Sequence, residues 1–186
     1  RMPCVSVLDP VLRTLAGHFG VKSQDQPGRQ HALDAGYFNR IDAMDYALAH
    51  DDGQRALELA DADVILIGVS RTSKTPTCVY LANRGVRSAN VPFVPGRPLP
   101  PEIENLDDSL VVGLTASPDR LIQIRRNRLL EMKEISDTPY TDIEEVRTEV
   151  RLARQLFAKY DWPVIDVTRR SIEETAAKIL ALLERR

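Results

Sequence analysis

"VILIGVSRTSKTP", residues 64–76, places the apolar run Val64-Ile65-Leu66-Ile67 directly before Gly68 and a polar stretch that ends in Lys74 and Thr75. A short apolar run bounded by glycine reads as a strand buried on both faces. The polar stretch approximates the phosphate-loop pattern G-x-x-x-x-G-K-[ST]: Gly68, four residues, then Ser73, Lys74 and Thr75. Such a loop needs amides that converge on phosphate oxygens, a lysine that reaches the terminal phosphates, and a hydroxyl for Mg²⁺. Ser73 stands where the pattern has its second glycine. A loop of the usual shape therefore asks Ser73 for backbone angles that glycine adopts more easily. The competing reading is an ordinary polar strand-to-helix turn that contains Lys-Thr. Either way a helix N-terminus, with its partial positive charge, faces the turn.

Outward from this stretch, strands are expected over 61–68, 88–94, 110–114 and 163–167, with helices between them. The helix after the loop spans Pro76–Asn83 and stops at Gly85. Proline is tolerated there because the first amides of a helix have no intrahelical partner. Ser117-Pro118 starts a further helix. Thr141 with Glu144 makes a capping-box pattern for the next, with Ile143, Val146, Val150, Ala153 and Phe157 inward. Ser171 with Glu174 caps a last helix that turns Ile172, Ala176, Ile179 and Leu183 inward. Upstream, Val5–Leu8 reads as a strand and residues 24–31 as a loop. Asp34 then caps a helix whose apolar face is Tyr37, Ile41, Met44 and Leu48, with Gly53 as its stop. The proline-rich segment 91–101 cannot be helical and reads as an extended surface connection. Alternating strands and helices give an α/β fold: a mostly parallel sheet flanked by helices, like that of P-loop kinases. The expected organisation is an N-terminal part, residues 1–60, followed by a nucleotide-binding domain, residues 61–186.

With 186 residues, 43% of them hydrophobic, the chain can bury a real core. A formal net charge of −2 argues against a general nucleic-acid binder, which needs a concentrated excess of Lys and Arg. Cys4 and Cys78 form neither a disulfide framework nor a metal-ligand array, and read as free thiols in a reducing compartment. No apolar stretch approaches the ~20 residues that cross a bilayer, and no signal-peptide plan opens the chain. The expectation is a cytoplasmic protein with no membrane partner. Because the chain opens on Arg1, further sequence upstream is expected.

The extended stretch "GVSRTSKTPTCVYLANRGVRSANVPFVPG", residues 68–96, resembles the bacterial pyruvate, phosphate dikinase regulatory proteins. So do "GRQHALDAGYFNRIDAMDYALAHDDG" (28–53), "VVGLTASPDRLIQIRRNRL" (111–129) and "WPVIDVTRRSIEETAAKIL" (162–180). The likeness runs in order from Val5 to Leu183. It implies a bifunctional enzyme that uses ADP to phosphorylate a threonine beside the catalytic histidine of the dikinase, inactivating it. The same enzyme would remove that phosphate with inorganic phosphate as acceptor, releasing pyrophosphate. The resemblance also implies that Gly68–Thr75 binds ADP with serine at position 73 as a family trait. A related branch acts in the same way on phosphoenolpyruvate synthase. Family members carry an additional N-terminal segment.

On this reading Lys74 and the loop, Gly68, Val69, Ser70, Arg71, Thr72, Ser73 and Thr75, hold the phosphates of ADP. Thr75 is the candidate Mg²⁺ ligand, with Asp166 at a strand end as a second. Arg125 and Arg128, three apart on one helix, can face a ligand together as part of a lid that includes Arg120 and Arg126. The alternative for them is a solvated face paired with Glu131 and Glu134. Asp51 and Asp52 are candidates to orient or deprotonate a protein hydroxyl, although Asp51-Asp52-Gly53 also reads as a plain polar turn. His31, Thr168, Arg169 and Arg170 have similarly open roles. The expected partner is pyruvate, phosphate dikinase, and a homodimer is compatible with the sequence. Two other readings stay open: a small-metabolite kinase of the P-loop class, and a nucleotide-binding module without catalysis.

Overall fold

The computed structural model describes residues 7–21, 35–106, 108–132 and 139–186. Cys4, the loop 24–31, His31, the Asp34 cap and Glu134 lie outside these residues. Residues 1–34 and Ala35–Arg186 form two compact units. In the first, Val7 and Leu8 lie in a bend and lead into a helix, α1 (Asp9–Phe19), so no strand covers them. Pro10 sits in the first turn of α1, and Gly20 closes it in the left-handed conformation at φ 66°.

The second unit is built on four strands: β1 (Val64–Gly68), β2 (Ser88–Pro92), β3 (Leu110–Thr115) and β4 (Val164–Asp166). All pair in parallel, in the order β2-β1-β3-β4. Alternation along the strands divides the core. Ile65, Ile67, Ala89, Val91 and Val111 face one side, with Val146, Val150, Ala153 and Phe157 of α5 (Ile143–Lys159) and Leu121 and Ile122 of α4 (Pro118–Glu131). Val64, Leu66, Val112, Leu114 and Ile165 face the other, with Cys78, Leu81 and Ala82 of α3 (Lys74–Ala82), and Ala176 and Ile179 of α6 (Ile172–Leu183). The α/β expectation holds, with helices covering both faces of a fully parallel sheet.

Several local readings shift. The helix α3 begins at Lys74 rather than Pro76, which leaves the proline in its first turn. Asp142, not Thr141, caps α5: its carboxylate accepts from the amides of Glu144 and Glu145, while Thr141 is buried in the 3-10 turn Pro139–Thr141. Ser117 caps α4, and the capping box of Ser171 and Glu174 forms on α6. The helix α2 (Ala35–Ala49) buries Ala43 and Ala47 and leaves Ile41 and Leu48 exposed. Small residues four apart let its backbone come close to α3 and β2, so the large apolar residues do not define the buried face. Beyond β2, no helix forms before the 3-10 turn Pro101–Asn105. Among the described residues, no helix is long and apolar enough to cross a membrane.

Candidate functional site

The chain reverses its lateral direction at β1, which has β2 on one side and β3 on the other. Ligands of open parallel sheets gather at the carboxyl end of such a strand. Residues 69–73 turn there from β1 into α3, and Gly68 makes the turn possible. A Cβ at that position would stand 2.5 Å from the Leu114 carbonyl oxygen and 2.8 Å from Thr72 Oγ1. Thr72 is buried and donates to the Val69 carbonyl at 2.9 Å, closing the turn from inside. Arg71 and Ser73 both have positive φ, 71° and 58°. Ser73 therefore takes the left-handed conformation that a glycine would adopt without strain. It is followed by the open amides of the first turn of α3.

A cleft of about 380 Å³ opens over this turn, lined by Ser70, Arg71, Ser73, Lys74 and Thr75 from the loop and by Asp52 and Asn90 from outside it. Lys74 is only 6% exposed, and its Nζ donates to the Val69 carbonyl at 3.1 Å. Burial pushes its pKa down from the usual 10.5 to about 8, with Asp52 foremost among the charges that pull the other way. A phosphate brought beside it would favour the ammonium form further and raise the pKa again.

Opposite the lysine, the 3-10 turn Asp51–Gly53 meets β2 and the start of α3. Thr75 Oγ1 donates to Asp51 Oδ1 at 2.9 Å. Asn90 Nδ2 lies 2.5 Å from the same oxygen, 3.0 Å from Thr75 Oγ1 and 3.5 Å from Asp52 Oδ1. Asn90 Oδ1 is a buried acceptor without a hydrogen-bond partner. Asp51 Oδ1, Thr75 Oγ1 and Asp52 Oδ1 are oxygens of the kind a hard cation takes, and in this arrangement the Asn90 amide nitrogen stands against all three. Among the described residues there is no cluster of three or more His, Cys, Asp or Glu that could hold a metal alone. Mg²⁺ commonly takes one or two protein oxygens and completes its shell with phosphate and water.

The structure thus brings Lys74, Thr75, Asp51 and Asp52 together with the loop residues Ser70, Arg71 and Ser73, and Arg125, Arg128 and Asp166 do not line their cleft. Arg125 is 1% exposed and holds the loop from behind. It pairs with Glu149 at 2.6 Å, donates to the carbonyls of Tyr140 at 3.0 Å and Ser70 at 3.4 Å, and lies 4.5 Å from the centre of the Tyr140 ring. The Tyr140 hydroxyl in turn lies 3.2 Å from Ser70 Oγ and accepts from Arg71 Nε at 3.2 Å. Arg128 points away from this interior and pairs with Glu131 at 3.6 Å, so the two arginines do not share a face. Arg120 donates to Gln123. Asp166 ends β4, two strands from β1, which is about 10 Å across the sheet. Partial burial opposes its ionisation, but hydrogen bonds from the Thr168 hydroxyl and amide, with Arg154 and Arg170 nearby, hold its carboxyl below the usual range. With Thr168, Arg169, Arg170 and Ser117 it lines a separate hollow.

Asn90 and Tyr140 were not legible as site residues. A polar residue in the middle of the strand "SANVP" is a signal for Asn90; nothing in the sequence singles out Tyr140.

Comparison with known proteins agrees with the loop's chemistry. A family model described as "Kinase/pyrophosphorylase" matches residues 1–180. A protein of Caulobacter vibrioides named "Putative pyruvate, phosphate dikinase regulatory protein" is 60% identical over 183 residues, 98% of this chain and 58% of its own length. Proteins of the same name from Maricaulis maris and Rhodospirillum rubrum are 56% and 55% identical, over 98% of this chain and 65% and 66% of their own lengths. The chain thus spans about three fifths to two thirds of the curated relatives it matches. A match of this extent, over a loop whose buried lysine and paired carboxylates suit phosphoryl transfer, shows that the chain belongs to the kinase/pyrophosphorylase family.

Proposed function

We propose that the protein transfers the β-phosphoryl group of ADP to a threonine of pyruvate, phosphate dikinase, and removes it again with inorganic phosphate, releasing pyrophosphate. The observation that carries this reading is Lys74, a buried ammonium at the start of α3, facing Asp52 across a cleft floored by the loop. Phosphoryl transfer asks for alignment and charge neutralisation rather than covalent chemistry by the protein. The loop amides and Lys74 hold the phosphates. Mg²⁺, held by Thr75 beside Asp51 and Asp52, supplies charge neutralisation when bound. The names of the relatives support the dikinase as the target.

Both reactions bring an oxygen nucleophile to a phosphoryl group, so one anion pocket serves the β-phosphate of ADP in one and inorganic phosphate in the other. The test is transfer of label from ADP carrying ³²P at the β position to purified dikinase, with this chain and its Lys74→Ala variant. Label on a threonine that disappears in the variant supports the proposal. ADP binding without label transfer supports a binding module instead. If Lys74→Ala abolishes the kinase reaction and leaves phosphate-dependent release intact, the shared pocket is wrong.

A further inference from the structure

Two of the residues that line the cleft carry a positive charge, Lys74 and Arg71, and the fold holds them in different ways. Lys74 is buried against the Val69 carbonyl. Arg71 is exposed, and its Nε donates to the Tyr140 hydroxyl at 3.2 Å. Its other four N–H groups sit on the two terminal nitrogens of the guanidinium. Arg125, Arg128, Arg147 and Arg154 each pair with a carboxylate, whereas among the described residues Arg71 pairs with none. An exposed arginine samples many rotamers, and ordering it on a ligand costs free energy. A fixed phenol beside Nε removes part of that cost before any ligand arrives.

Tyr140 is such a fixed group. Its carbonyl accepts from Arg125 Nη1 at 3.0 Å, and its ring centre lies 4.5 Å from the Arg125 guanidinium carbon. Arg125 is itself 1% exposed and paired with Glu149 at 2.6 Å. The phenol oxygen accepts from Arg71 and has one proton of its own, for which Ser70 Oγ stands at 3.2 Å. Tyr140 thus connects the buried support behind the loop with the one guanidinium that lines the cleft.

We infer that Tyr140 is a positioning residue for anion binding: its hydroxyl presets Arg71, whose terminal nitrogens take the outer phosphate of a diphosphate seated on the loop. The inference rests on the proposed function, in which ADP and pyrophosphate are the diphosphates of the two reactions. Lys74 meets the anion from the buried side as a point charge. Arg71 meets it from the exposed side as a planar fork that reaches two oxygens at once.

The test is a double-mutant cycle on the intact protein, read by isothermal titration with pyrophosphate and, separately, with ADP. Tyr140→Phe keeps the ring on Arg125 and removes only the hydroxyl. It is expected to weaken binding of both diphosphates by ~3–10-fold. Arg71→Ala is expected to weaken it by ~10–100-fold. In the Arg71→Ala background the loss of the hydroxyl should change affinity by less than about twofold, because no guanidinium is left to orient. In a Ser70→Ala background it should keep its full effect. A merely structural role for the hydroxyl predicts the same loss in every background. Equal losses with and without Arg71, a loss that vanishes in Ser70→Ala, or unchanged affinity in Tyr140→Phe would each overturn the assignment. If the unaltered protein shows the expected cycle but transfers no label to dikinase, the positioning role stands and the proposed function falls. If it binds neither diphosphate, both fall.

Discussion

Lys74→Met should make the protein more stable while removing its activity. The lysine is 6% exposed, and burial lowers its pKa from 10.5 to about 8. At about 1.4 kcal/mol per pKa unit, holding the charged form in the folded state costs roughly 3 kcal/mol. Methionine fills a similar volume without the charge, and loses the hydrogen bond to the Val69 carbonyl, which is about 1 kcal/mol. That carbonyl keeps its bond from Thr72. The net expectation is a gain of about 2 kcal/mol near pH 7. The sign with pH follows from proton counting. Below about 8 the lysine is protonated in both states and the full penalty applies. Between about 8 and 10.5 the unfolded chain binds the proton and the folded one does not, so wild-type stability rises with pH and the advantage of methionine shrinks. Urea unfolding followed by circular dichroism, with linear extrapolation, measures the difference near pH 7 and again near pH 10. A variant no more stable than wild type near neutrality, or a gap that does not change with pH, would refute the argument that burial depresses this lysine.

Other perturbations probe the frame that holds the lysine. Gly68→Ala places a Cβ 2.5 Å from a backbone oxygen of β3 that cannot move aside, and calorimetry should show a loss of about 1–3 kcal/mol or more. Ser73→Gly relieves the φ of 58° and should raise the melting temperature by the equivalent of about 0.5–1 kcal/mol, whereas Ser73→Val should lower it. Glu149→Ala strands a guanidinium that is 1% exposed and should cost about 3–5 kcal/mol in denaturant unfolding. Arg125→Met leaves a carboxylate with 23% exposure that can turn to water, so it should cost less, and by releasing the Ser70 carbonyl it should weaken the ADP binding proposed for the loop, as isothermal titration would measure.

What the sequence made legible was mostly local. The buried strand β1 and its loop lie within thirteen consecutive residues, 64–76, and neither depends on a distant partner for its signature. The inner face of α5 and the capping box of α6 were legible for the same reason. Large apolar residues mislead in two places: Val7 and Leu8 read as strand but lie in a bend before α1, Val5 and Ser6 being outside the described residues, and Ile41 and Leu48 obscure the Ala43–Ala47 face of α2. The site was half legible for a related reason. Lys74 and Thr75 follow the loop in sequence, but Asn90 reaches Asp51 across 39 positions, and Arg125 reaches Ser70 across 55. Only the parallel pairing of β1 with β2 and the packing of α4 behind the loop bring these groups in. Ser73 joins the two levels. A pattern match reads it as a departure from glycine, but its φ of 58° shows that the backbone there keeps the glycine-like conformation. A serine in that conformation is strained relative to glycine, so the shape of the loop is imposed by its surroundings: Thr72 within, Tyr140 and Arg125 behind, and β3 too close for any side chain at Gly68.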